Sequence, residues 1–181
     1  MVDAAADELL EALKKSEERY RFLAETIPVQ VWTSRPNGML DYVSSRAVKE
    51  LGVSMDRLLS EGWKNVVHPE DLGLAVQRWT HALRTGETYE VEFRLKMFDG
   101  TYAWYLARAV AQRDAEGTVV EWLGTNTNIA EQRETQRRIE ALLAEVGQQA
   151  LETEATLRSL RAEKADADAA LRKLETRLAA G

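Results

Sequence analysis

From Ile129 to Leu178 the apolar residues of this chain recur at alternating spacings of three and four, without a break. With Ile129 at heptad position a, that position is filled in turn by Gln136, Leu143, Ala150, Leu157, Lys164, Leu171 and Leu178. Position d holds Gln132, Ile139, Val146, Thr153, Leu160, Ala167 and Leu174. A strict seven-residue repeat imposes a left-handed supercoil, because a straight α-helix drifts out of phase with it. About fifty residues at roughly 1.5 Å each make a rod on the order of 75 Å, too long to lie on a domain of the remaining size. The repeat therefore predicts a parallel coiled-coil homodimer whose seam is Ile139, Leu143, Val146, Leu157, Leu160, Leu171, Leu174 and Leu178. Gln136, Lys164 and Thr153 weaken that seam but can fix its register and its two-stranded state.

The helix grows directly out of a strand. Val119 to Thr127, bounded by Gly117 and rich in β-formers, is predicted to be extended. Two strands precede it as a meander. Tyr89 to Met97 alternates Val91, Phe93 and Leu95 with Glu90, Glu92, Arg94 and Lys96, and Tyr102 to Arg113 follows the Asp99-Gly100 turn. Earlier, Val29 to Ser34 and Met39 to Ser44 flank Pro36-Asn37-Gly38 as a hairpin. Short helical pieces follow, with Ser54 a candidate N-cap. His68-Pro69-Glu70-Asp71 then opens a helix to Arg84, buried through Leu72, Val76, Trp79 and Leu83. Residues 3–26 form an amphipathic helix on Leu9, Leu13, Tyr20, Leu23 and Ile27, which either lies on its own sheet or pairs with a second copy. The division expected is an N-terminal helix (1–27), an α+β domain with one antiparallel sheet (28–128) and the coiled-coil helix (129–181).

Composition removes several function classes. A net charge of −6 without a basic stripe argues against a nucleic-acid partner. Cysteine is absent, which excludes disulfides and thiolate chemistry and fits a reducing compartment. No segment has the length of a membrane span or the make-up of a signal peptide, so a cytoplasmic setting is expected. Nucleophile elbow, phosphate loop and His-carboxylate ligand clusters are all missing, so neither catalysis nor a metal is expected. Of the two histidines, His68 sits at a helix N-cap and His81 lies off the apolar stripe of the same helix.

Several short motifs occur in a telling order: Ser16-Glu17-Glu18-Arg19-Tyr20-Arg21, Val31-Trp32-Thr33, Asn37-Gly38 and Gly62-Trp63. His68-Pro69-Glu70-Asp71, Glu92-Phe93-Arg94, Asp99-Gly100, Trp104 and Gly124 through Ile129 complete the series. Over residues 16–133 the chain resembles the PAS domain family, in particular the bacterial members that precede signalling enzymes. The resemblance implies a five-stranded antiparallel sheet with helices on one face, cupping a small pocket. It also implies dimerisation through the flanking helices and a sensory module that relays a signal to an effector such as a histidine kinase or diguanylate cyclase. The alternatives are a constitutive dimerisation module with a solid core, or a haem sensor. The chain departs from the family at its end, where Asn128-Ile129-Ala130 replaces the usual Asp-Ile-Thr. Asn128 still suits the N-cap of the output helix, with Glu131 placed for a capping box.

Strand alternation, with the meander phased as in flavin-binding relatives, points Val31, Thr33, Val91, Phe93, Leu95, Tyr105, Ala107, Trp122 and Asn126 into the pocket. Ala109 and Gly124 share that phase. Such a lining suits a small apolar ligand oriented by the Tyr105 hydroxyl and the Asn126 amide, and equally a filled core. Trp32, Trp104, Leu106 and Val110 would stand on the opposite face, covered by the N-terminal helix or a partner. Flavin–cysteinyl photochemistry is excluded without cysteine. Haem ranks last, because the family's common ligand position falls nearer Ala75 than His81. Asn128, Ile129, Gln132 and Gln136 form the expected signal junction. Since the helix reaches its end without a stop signal, the chain is expected to be a piece of a longer signalling enzyme, the alternative being that it works with a separate partner.

Overall fold

The computed structural model describes residues 2–179, with side chains from 7 to 176. The elements run α1 (Val2–Thr26), β1 (Gln30–Ser34), β2 (Leu40–Val43), α2 (Ser45–Leu51), α3 (Met55–Glu61), a 3-10 turn (Trp63–Val66) and α4 (Pro69–Thr85). They continue with β3 (Tyr89–Lys96), β4 (Tyr102–Arg113), β5 (Val119–Asn128) and α5 (Ala130–Ala179). The strands form one antiparallel sheet in the order β2-β1-β5-β4-β3. The two ends of the domain in sequence thus meet in the middle of the sheet. The chain divides into two compact units, with the boundary after Glu131.

The helical starts are specified locally. Ser54 Oγ accepts from Arg57 N at the head of α3, and His68 Nδ1 accepts from Glu70 N at the head of α4, where Pro69 fills the first position. The core lies between one sheet face and α2, α3 and α4. Trp122, Tyr105 and Leu95 are its largest fully buried side chains. Ala75, Trp79 and Ala82 are the buried positions of α4, while Leu72 and Leu83 pack at its margin. Small alanines let α4 approach the sheet closely, and Trp79 fills the space beneath it.

A charged clamp fixes α4 to β3. Arg94 Nε and its backbone N–H both donate to Asp71 Oδ2 at 2.8 Å, and its Nη2 donates to Asp71 Oδ1 and to Glu70 Oε2 at 2.8 Å. The guanidinium also lies 5.3 Å from the Trp104 ring centroid. Hydrogen bonding from Arg94 holds the Asp71 carboxyl below its ordinary range. Asp71→Asn is expected to lower the unfolding free energy by about 1.5–3 kcal/mol in urea titrations at neutral pH. Because the folded pKa is depressed, the clamp's contribution is complete above about pH 4 and is lost as pH falls through the folded value. The wild-type advantage over Asp71→Asn should therefore shrink in strong acid; an advantage that held constant down to pH 2 would contradict this account.

Candidate functional site

A cavity of about 50 Å³ lies between the sheet and the short helices. The sheet contributes Gln30 and Trp32 from β1, Leu40 and Val43 from β2, Phe93 and Leu95 from β3, Ala107 from β4 and Asn126 from β5. Ala47, Leu51, Leu58, Trp63, Val66 and Trp79 close it from the helical side, with Tyr89 and Gly38 at its edge. Its aromatic walls are held by edge-to-face contacts. Trp79 lies 5.7 Å from Trp32, 5.0 Å from Tyr89 and 5.2 Å from Trp122, centroid to centroid. Trp63 stacks on Phe93 at 6.5 Å.

One side of the cavity is polar. Trp32 Nε1 donates to Asn126 Oδ1 (3.1 Å), Asn126 Nδ2 donates to Gln30 Oε1 (3.1 Å), and Gln30 Nε2 donates to Glu50 Oε2 (2.9 Å). The Tyr105 hydroxyl donates to the same Glu50 oxygen at 2.9 Å, while Arg46 reaches Oε1 at 3.1 Å. Burial, reinforced by Glu50, pushes the Tyr105 hydroxyl well above its ordinary pKa. The chain of bonds joins three strands and one helix around one carboxylate, so Glu50 satisfies groups that would otherwise be buried without partners.

The structure sorts the residues expected from alternation. Phe93, Leu95, Ala107 and Asn126 line the cavity. Val91, Tyr105 and Trp122 share their sheet face and belong to the surrounding core, as does Ala109. Val31 and Thr33 do not face the cavity, and here the expected phase of β1 is corrected. Trp32 stands opposite Gly124, and cross-strand partners share a face. Gly124 shares the face of Trp122 and Asn126, so Trp32 joins them and Val31 and Thr33 turn away. The Val31 N–H donates to Ser44 Oγ, and the Thr33 hydroxyl donates to Asp41. The reverse face accordingly carries Trp104, Leu106 and Val110 without Trp32.

The residues that alternation missed are mainly Gln30, Trp32, Trp79 and Glu50. Trp32 gave no local signal, because the glycine it faces lies on β5, far along the chain. Glu50 gave no usable signal, because Arg46 and Glu50 at four-residue spacing look like an ordinary surface pair.

At the end of β5, Asn128 pairs with Tyr105, and its Oδ1 accepts from Ala130 N at 2.9 Å, securing the first residue of α5. Ile129 N donates to Trp104 O at 2.9 Å, and the Ile129 side chain is buried in the first unit. Ile129 is therefore a core residue of that unit, although the heptad register puts it at the first a position. Gln132 and Gln136 are exposed, with Gln136 donating to Glu140 at 2.8 Å. In the second unit Ile139, Leu143, Val146, Leu157, Leu160, Leu171 and Leu174 are each 47–65% exposed in the single chain. Leu178 lies outside the described side chains.

A family model described as the PAS fold matches residues 40–126, from the start of β2 to the Asn126 of the cavity wall. The chain carries a PAS domain. It is 38% identical over 122 residues to the uncharacterized protein y4lL of Sinorhizobium fredii, a match covering 67% of this chain and 15% of that protein. It is 30% identical over 121 residues to the peroxide stress-activated histidine kinase mak1 of Schizosaccharomyces pombe, covering 66% of this chain and 7% of the kinase. The chain thus spans only a small part of the length of these relatives.

Among solved structures, an RNA-binding Light-Oxygen-Voltage receptor superposes with a TM-score of 0.62 at 16% identity, over 71% of this chain and 37% of that one. The N-terminal domain of a diguanylate cyclase with PAS/PAC sensor from Marinobacter aquaeolei gives 0.53 at 23% identity, over 58% and 98%. At these identities the likeness is one of fold.

Pockets for drug-sized ligands run to roughly 300–1,000 Å³, far above the 50 Å³ between the sheet and α2–α4. Neither histidine of the PAS domain reaches the cavity: His68 caps α4 and stacks on Tyr102, and His81 Nε2 lies 2.9 Å from Glu87. Among the described residues no cluster of His, Asp and Glu could hold a metal, and no helix is long and apolar enough to cross a membrane.

Proposed function

We propose that this chain is the sensory part of a cytoplasmic signalling protein, without catalytic activity of its own. In this reading the PAS domain takes up a small, mostly apolar ligand and passes the change through α5 to an effector such as a histidine kinase. A second copy pairs with it in parallel along α5 and through α1. The observation that carries the reading is the spacing on β5. Asn126 belongs to the cavity wall, and Asn128, two residues further along the same strand, holds the first backbone N–H of α5. A displacement at the cavity therefore has a stiff and very short route to the start of the output helix. The exposed apolar heptad of α5 supports pairing, because a row of half-exposed Leu and Ile side chains calls for a partner.

Light scattering tests the pairing, with the mass of two chains expected and the mass of one chain counting against it. Gln132 and Gln136 are the weak positions next to the domain. Replacing both by Leu is expected to lock the output of an attached kinase in one state. Coupling between sites is usually worth about 1–3 kcal/mol, which two added seam leucines can override. Regulation that survived the double change undiminished would refute the relay.

A second reading is a constitutive dimerisation module with a solid core. The small volume of the cavity and the mutual bonding of Gln30 and Asn126 favour it. Native mass spectrometry of the purified chain separates the two: a bound small molecule supports sensing, and a clean apo mass supports the module.

A further inference from the structure

The N-terminal helix has little apolar cover. Leu9, Leu13, Tyr20 and Leu23 are 50–73% exposed. Its last turn nonetheless makes a polar clasp. Glu25 Oε1 accepts from the Tyr42 hydroxyl of β2 at 2.9 Å and from the Ser45 N–H at 3.1 Å. Glu25 Oε2 accepts from the same N–H at 3.1 Å and from the Ser45 hydroxyl. The Ser45 hydroxyl is the main reason that the Glu25 carboxyl is held below its ordinary range. Burial, with help from Glu25, pushes the Tyr42 hydroxyl up to about 12.

Ser45 is the first residue of α2, two of whose later positions meet the cavity. Ala47 and Leu51 form part of its wall, and Glu50 is the carboxylate that gathers Gln30 and Tyr105. Seven residues at about 1.5 Å each make a stiff peg on the order of 10 Å, so its first residue follows any shift of its inner face. We propose that Glu25 is a positioning residue that couples the cavity to the N-terminal helix, the Tyr42–Glu25–Ser45 clasp tightening or loosening as α2 moves. The proposal rests on the cavity being the sensing site, and it makes α1 a second output beside α5.

The test uses the full chain and hydrogen exchange read by mass spectrometry. Glu25→Gln keeps the shape and removes the charge. It is expected to speed exchange of residues 17–27 about tenfold, with β3, β4 and β5 unchanged. Ala107→Val pushes two methyl groups into the cavity from β4, on the far wall from Glu25. It should change exchange of residues 17–27 several-fold in the wild-type background and leave it unchanged in the Glu25→Gln background. Equal exchange in wild type and Glu25→Gln, or an Ala107→Val effect of the same size in both backgrounds, overturns the proposal. If β4 exchange shows that Ala107→Val has disturbed the sheet, Leu58→Ala on α3 perturbs the cavity from the helical side instead. Bound mass found without this coupling overturns the clasp alone. Coupling found without bound mass supports the clasp and counts against the cavity as a ligand site.

Discussion

Replacing Trp79 by alanine is expected to lower the unfolding free energy by about 3–5 kcal/mol and the midpoint of thermal unfolding by roughly 10–20 °C. Trp79 is the meeting point of the aromatic cluster, touching Trp32, Tyr89 and Trp122 and forming part of the cavity wall. Removing the indole deletes all three ring contacts at once. The backbone of α4 cannot follow, because the Asp71–Arg94 clamp and the close approach of Ala75 and Ala82 already set its distance from the sheet. The void would therefore persist and add to the lost transfer energy. Urea titration or calorimetry measures it. A loss below about 1 kcal/mol would mean that the helix collapses into the space and that the packing account is wrong.

Gly124→Ala is the second large effect, and it comes from a single methyl group. A Cβ at Gly124 would lie 2.2 Å from Cζ2 of Trp32, with two more ring atoms within 2.6 Å. No rigid ring tolerates that, so Trp32 must leave its seat and surrender its bond to Asn126. Overpacking of a well-filled core commonly costs about 1–3 kcal/mol, and the lost hydrogen bond adds about 1 kcal/mol more. The cause can be isolated by a double-mutant cycle. With Trp32→Ala in place the clash is gone, and Gly124→Ala should then cost little. Additive losses in the double mutant would show that the glycine is needed for some other reason.

These two positions also mark where the chain is legible and where it is not. On β3 the alternation of Val91, Phe93 and Leu95 with charged neighbours leaves one solution, and the burial of those three residues agrees with it. On β1 the run Gln30-Val31-Trp32-Thr33-Ser34 puts polar and apolar residues on both faces. Periodicity does not choose between them, and the observed phase is the opposite of the expected one. What decides is the pairing of Trp32 with Gly124, a contact between residues far apart in the chain that leaves an indole lying on a bare backbone. Ile129 is buried for a related reason. A heptad register reports only spacing, whereas the first residue of the repeat is claimed by the sheet it has just left.

The sequence by itself determined the element order, the strand-to-helix junction, the faces of the meander and the apolar repeat of α5, because local spacing and capping chemistry are written residue by residue. Only the tertiary structure decided which β1 residues meet the cavity and that Glu50 gathers its polar side. It alone showed that Glu25 ties α1 to α2. Those outcomes depend on which distant groups are brought within hydrogen-bond reach, and a buried polar group takes whichever partner the fold supplies.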